Sequence, residues 1–232
     1  MIPILKGTHV GHVLTGSMPE EKKLTTLEEQ GIFLLIDEID HENYHDFVEK
    51  IVKWNAQWET FDEINMIINS YGGDAAATLG IVDFMDWSTI PVHTFANGIC
   101  ASGGFIVMMA GEKGHRICTP RTQFLSHNFS GFDYGNYPQL VATRRGQDIM
   151  YEIQIRHYSQ HTNLKTEADI RKYLLQDTDL WLTPEECLAY GVVDVITTDR
   201  KAAPAVVYSG YGDKSKPIKK SKKKPDQRKE SR

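Results

Sequence analysis

The chain has 232 residues, enough for one large domain or two small ones, either of which can bury a real core. Its hydrophobic content of 41% and charged content of 25% are those of an ordinary globular protein, and no apolar run reaches the roughly 18–20 residues of a membrane span. The net charge of −5 is unevenly spread, because residues 214–232 alone carry ten Lys/Arg against two Asp/Glu. In chain order, residues 1–30 carry no clear pattern, and "MIPILKGTHVGHVLTG" lacks the charged start and apolar core of a signal peptide. The run 31–36, apolar after its leading glycine, reads as a buried strand, and 41–58 has apolar residues at helical spacing with one wet face. A second buried strand over 64–68 closes in "NSYGGD", followed by a helix over 75–87 that stops before Pro91. A strand over 92–96 leads through Asn97-Gly98 into "GICASGGFIVMMAG". Short strands are expected at 116–118 and 123–125, a long amphipathic helix at 138–161, and shorter helices at 167–175 and 183–190. Thr183-Pro184-Glu185-Glu186 is a helix start with Thr as N-cap, Pro first and Glu third; Gly191 stops the helix, and 192–196 is a last strand. Strands alternate with helices, so the class is α/β.

The three cysteines, Cys100, Cys118 and Cys187, show no CxxC spacing, so neither a disulfide framework nor a zinc knuckle is expected, and the setting reads as reducing and cytoplasmic. The basic tail has one large apolar residue, Ile218, and no aromatic, so it cannot bury enough surface to offset its ordering entropy. It reads as an appendage beginning near 201–204, either solvated or in contact with nucleic acid or another polyanion.

Ser102 opens the apolar segment 103–110 and is followed by Gly103 and Gly104. Serine is a good helix cap, because its oxygen can accept an orphan backbone N–H. It is equally the nucleophile of acyl transfer, and a helix start presents N–H groups toward a developing negative charge. Glycine costs about 1 kcal/mol in a helix relative to alanine, so two of them in one first turn imply a close approach by another backbone or a substrate. "INSYGGD" at 68–74 repeats the layout, with Gly72-Gly73 between a strand and a helix. "FLSHNFS" sets His127 after a short strand, where it is either structural or the base that a serine nucleophile needs. "QDTDLWLT" offers Asp177 and Asp179, in a turn, as caps or as the acid that holds an imidazole.

Together and in this order, "INSYGGDAAATLGI", "GICASGGF", "FLSHNF" and "DLWLTPEECLAYGVVDVI" resemble the Clp-type serine peptidases, the proteolytic subunit of the ATP-dependent Clp protease. The resemblance covers about residues 31–197, and the spacings from Gly73 to Ser102 and from Ser102 to His127 fit the family layout. It implies a Clp protease/crotonase-like fold of repeated β-β-α units with a protruding helix, here 138–161. It divides the chain into a poorly matched segment 1–30, a peptidase domain 31–200 and the tail 201–232. By resemblance Ser102 is the nucleophile, His127 the base and Asp179 the orienting acid, with Asp177 its rival. Gly73 and Gly103 supply the oxyanion-hole amides. The family implies a peptide or unfolded-protein substrate, a homo-oligomer of stacked heptameric rings and an AAA+ unfoldase partner, with no cofactor, metal or membrane. This chain departs from the family pattern at Tyr71 (proline in the family), at Gly103 (methionine) and at Asn128-Phe129 (Gln-Pro). Two other readings stand beside the peptidase: a crotonase-like acyl-CoA enzyme using the two glycine amides, and an inactive structural subunit of a mixed ring.

Overall fold

The structure, a computed structural model, describes residues 26–131 and 133–199. The tail therefore lies outside the described residues, as does most of segment 1–30. Strands β1 (Ile32–Ile39), β2 (Ile64–Gly73) and β3 (Val92–Ala101) lie parallel and adjacent, joined through helices α1 (His41–Ala56) and α2 (Ala75–Trp87). After β3 come helix α3 (Gly103–Ala110) and strands β4 (Arg116–Cys118) and β5 (Gln123–Ser126). The long helix α4 (Tyr137–His161), α5 (Glu167–Tyr173), β6 (Leu180–Leu182), α6 (Pro184–Tyr190) and β7 (Val195–Ile196) complete the order. The class is α/β, with a mostly parallel sheet of order β1-β2-β3-β4-β7.

The sheet forks at β3. Residues 94–96 pair with β4, whereas residues 99–101 pair with β5, which in turn carries the antiparallel β6. The fork is at Asn97-Gly98, where the register against β2 jumps from Ile68↔Ala96 to Ser70↔Cys100. Gly98 has φ +65, and the Asn69 Oδ1 accepts from the Ile99 N–H at 3.1 Å, bridging the jump. The sequence reading ended β2 and β3 at their polar, glycine-containing stretches. Both strands instead run on through them, because the ladder hydrogen bonds continue past the bulge and do not depend on apolar side chains.

β1 is also less buried than its sequence suggests. Ile32, Phe33, Leu35 and Ile39 are buried, while Leu34 and Ile36 face outward, as expected of an edge strand whose alternate side chains leave the core. The core is centred on α3, every residue of which is buried, packed against β2, β3 and α2. A helix that is apolar all round is stable only in such a place. Capping boxes start α1 at Asp40/Asn43, α4 at Asn136/Gln139 and α6 at Thr183/Glu186. Gly191, at φ +78, ends α6, and the N–H groups of Val192 and Val193 turn back onto the Cys187 carbonyl, which shortens the last strand expected there. Arg116, buried, makes a bidentate pair with Asp194 at 2.6 and 2.8 Å and donates at 2.6 Å to the His161 carbonyl at the end of α4. Burial alone would raise the Asp194 carboxyl, but the hydrogen bonds and charge of Arg116, with two backbone N–H groups, hold it below the usual range.

α4 protrudes. At 25 residues it spans roughly 37 Å, and its buried residues, Gln154, His157 and Tyr158, all lie near its C-terminal end. Tyr137, Leu140, Val141 and Ile149 on its earlier turns are exposed.

Candidate active site

Three strand ends meet at Ser102. The residue stands between β3 and α3, and its N–H donates to the Leu125 carbonyl of β5 at 2.9 Å. Its backbone has φ +53 and ψ −118, a combination a non-glycine residue adopts only under constraint. Although Ser102 occupies the N-cap position, its hydroxyl makes no capping hydrogen bond. Its Oγ instead lies 2.7 Å from His127 Nε2.

The strand register explains why these two side chains meet. Ala101 pairs with Leu125, so the residues just beyond, Ser102 and the Ser126-His127 step, emerge together at the C-terminal ends of β3 and β5. On the other side of β5, Ser126 pairs antiparallel with Leu180, which sets Asp179 opposite His127. The sequence places Asp177 and Asp179 in a turn before the Thr183 helix and shows no strand there; Leu180–Leu182 form β6, too short a strand for periodicity to reveal. Asp179 Oδ1 is 3.9 Å from His127 Nδ1, an ion-pair distance and not a hydrogen bond, and its side chain is 69% exposed. Asp177 turns away, 3.6 Å from Arg171.

The glycine turn at the end of β2 lies directly against Ser102. A Cβ on Gly72, whose φ is +88, would stand 2.6 Å from both the Gly103 nitrogen and Ser102 Cβ. The buried Ser70 hydroxyl shapes this turn by accepting from the Gly72 N–H at 3.0 Å and donating to the Asp37 carbonyl. Gly73 is the last residue of β2, in register with Ile39. Gly103 is the first residue of α3, so its N–H has no carbonyl of that helix to bond. The two glycines after Ser102 do admit a close approach, but by protein: a Cβ on Gly103 would meet Thr78 Oγ1 at 2.4 Å, and one on Gly104 the Ser70 carbonyl oxygen at 3.2 Å.

A cavity of about 850 Å³ opens beside His127, between the segment that follows it and α4, lined in part by Asn128, Phe129, Met150, Tyr151 and Gln154. The cysteines take no part: all three are buried, and burial pushes their thiols up, that of Cys118 to about 12. Among the described residues no group of three or more His, Cys, Asp or Glu is arranged to hold a metal ion, and no helix is long and apolar enough to cross a membrane.

The sequence model of the family described as Clp protease matches residues 18–200. The chain belongs to the Clp protease family. It is 33% identical over 177 residues to the ATP-dependent Clp protease proteolytic subunit of Leuconostoc citreum, covering 75% of this chain and 86% of that one. It is 34% identical over 134 residues to the protein of the same description from Deinococcus radiodurans. That match takes in 58% of this chain and 64% of the Deinococcus protein, just under two thirds of its length. The α/β sheet with its protruding α4 is consistent with the family fold.

Gln154, Ser70 and Tyr158 were not singled out in the sequence. Gln154, between Ile153 and Ile155, and Ser70, shortly before the glycine pair, are polar residues in an apolar or glycine-rich setting, which is the signal they offered; Tyr158, between His157 and Ser159, offered none. The Tyr158 hydroxyl lies 2.7 Å from Ser126 Oγ, and burial pushes its phenol up to about 12.

Proposed function

We propose that the chain is a serine endopeptidase in which Ser102 is the nucleophile, His127 the general base and Asp179 the group that orients the imidazole. The observation that carries the reading is the 2.7 Å contact from Ser102 Oγ to His127 Nε2, made by a hydroxyl that caps nothing, on a residue held at φ +53. A strained strand-to-helix turn exposes a serine for attack, as a merely capping serine would not require.

His127 Nε2 takes the proton as Ser102 Oγ adds to the peptide carbonyl, and returns it to the amine as the C–N bond breaks. Water then enters by the same route: its oxygen adds to the acyl carbon as His127 takes its proton, and His127 returns that proton to Ser102 Oγ as the acyl C–O bond breaks and the acid is released. The negative charge on the tetrahedral oxygen is met by the N–H groups of Gly103 and Gly73. Asp179 tightens onto Nδ1 when the ring becomes cationic, and its 3.9 Å separation and exposure leave room for that movement. The substrate is a peptide or unfolded protein, and the cavity beside His127 receives one of its side chains. By analogy with relatives described as subunits of an ATP-dependent Clp protease, the working form is a homo-oligomeric ring chamber served by an AAA+ partner.

Fluorophosphonate labelling of the full chain tests the reading. We expect Ser102 to be the labelled residue, and Ser102→Ala to abolish both labelling and peptide hydrolysis with the melting temperature unchanged within about 2 °C. Hydrolysis within threefold of the wild type in Ser102→Ala would overturn the assignment. The acyl-CoA reading gives the Ser102–His127 contact no task, and saturable acyl-CoA binding without labelling would revive it.

A further inference from the structure

We infer that Gln154, on α4, is a positioning residue for His127, an inference that rests on the serine-peptidase reading above. β5 ends at Ser126, so the peptide that follows His127 lies outside that strand. Its carbonyl oxygen accepts a 2.9 Å hydrogen bond from Gln154 Nε2. Gln154 is 2% exposed, so this contact is shielded from competing water.

The amide is a costly way to fill the position. Its Oε1 is buried without a hydrogen-bond partner among the described residues, although the side chain lies beside the Tyr158 hydroxyl. A methionine has the same reach and similar volume and would leave no orphan oxygen. The bond that offsets the desolvation of the amide is the one Nε2 donates, and that bond holds the backbone of the proposed base.

The neighbouring polar residues of α4 grip adjoining parts of the same structure. Tyr158 pairs with the Ser126 hydroxyl one residue before His127, and His157 Nε2 lies 2.9 Å from the Ile106 carbonyl in α3, the helix that follows Ser102. α4 therefore touches both the strand that carries the base and the helix that follows the nucleophile, and Gln154 is the contact that reaches the base residue itself. A base must stay within hydrogen-bond reach of the proton it takes, and a displacement of about 1 Å costs on the order of a hundredfold in rate.

The test uses the full chain with Gln154→Met and, as a second variant, Gln154→Asn, which keeps the amide but is one methylene too short. Steady-state hydrolysis of a peptide ester and fluorophosphonate labelling are measured with each, alone and combined with His127→Ala. In both variants we expect kcat and the labelling rate to fall at least tenfold, with KM within twofold of the wild type. In the His127→Ala background the residual labelling is expected not to change further, because there is no imidazole left to position. Tyr158→Phe is the control for plain loss of stability: it lowers the melting temperature and reduces labelling less than threefold.

Rates within threefold of the wild type in both variants would overturn the inference. A rise in KM at constant kcat would also overturn it, since Gln154 lines the cavity and would then be touching substrate. Equal fractional losses with and without His127 would reduce Gln154 to a structural residue. A wild-type protein that is not labelled at Ser102 at all would remove the peptidase reading, and the inference would fall with it.

Discussion

Gly72→Ala tests how tightly the end of β2 is fitted to the Ser102 turn. The added methyl carbon would lie 2.6 Å from the Gly103 nitrogen, 2.6 Å from Ser102 Cβ and 2.8 Å from the Ala101 carbonyl oxygen. None of these atoms is the end of a flexible side chain. Carbon contacts relax at about 3.5–4.0 Å, so the turn must retreat by about 1 Å or β2 must move by as much. Holding alanine at φ +88 costs about 1–2 kcal/mol and overpacking about 1–3 kcal/mol, for a total of about 2–5 kcal/mol. A 1 Å shift of the proposed nucleophile is worth roughly a hundredfold in rate. Gly114→Ala separates the two contributions. Its φ is +93 but nothing lies within 4 Å of the added carbon, so it carries the conformational cost alone. Urea unfolding of both variants, beside fluorophosphonate labelling rates, provides the comparison. We expect Gly72→Ala to lose clearly more stability than Gly114→Ala and at least tenfold in labelling, while Gly114→Ala labels like the wild type. Equal stability losses, with labelling of Gly72→Ala within threefold of the wild type, would refute the packing argument.

Asp179→Asn is expected to slow peptide hydrolysis at least tenfold more than Asp177→Asn, because an amide can leave the imidazole in the wrong tautomer, whereas Asp177 faces Arg171; the reverse ranking would transfer the role to Asp177. Acid should destabilise the fold through His157, whose imidazole is lowered to about 4 by burial and, secondarily, by neighbouring His161. The unfolded chain takes up this proton near pH 6.5 and the folded chain only near 4, so stability is full above about 6.5 and falls as the pH drops through that window. Between pH 7 and pH 5 the loss is about 2 kcal/mol, a shift of roughly 1 M in the urea midpoint; a midpoint unchanged over that range would contradict it.

The helix ends were legible because local chemistry sets them. Thr183, Pro184, Glu186 and Gly191 occupy the cap positions the sequence assigned to them. The proximity of Ser102 and His127 was legible only through an ordered set of motifs, since nothing in either segment alone says that β5 pairs with the end of β3. What escaped the sequence was non-local or too short to show a period. β6 is three residues long and owes its strand form to β5. The outward side chains of β1, Leu34 and Ile36, follow from its place at the sheet edge, which no property of residues 32–39 announces. Gln154 sits in a helix whose amphipathic pattern was plain, but its bond to a backbone oxygen 27 residues earlier has no signature in spacing.

The fork in β3 also sets a timetable. Chains emerge from the ribosome from the N-terminus at about 5–20 residues per second, and domains tend to fold as units. β1, β2 and β3, with Ser102 at their end, are synthesised before β5, and β5 before β6, so His127 and then Asp179 reach the serine in that order. At that pace the interval between the exit of Ser102 and that of Leu182 is on the order of ten seconds. In its first part, until His127 has followed, the growing chain carries Ser102 with no imidazole beside it, and until β6 has formed on β5 it lacks Asp179 as well. With the proposed triad, hydrolytic capacity is thus among the last properties the nascent protein acquires, since Asp179 comes into place only with the strand that pairs with β5.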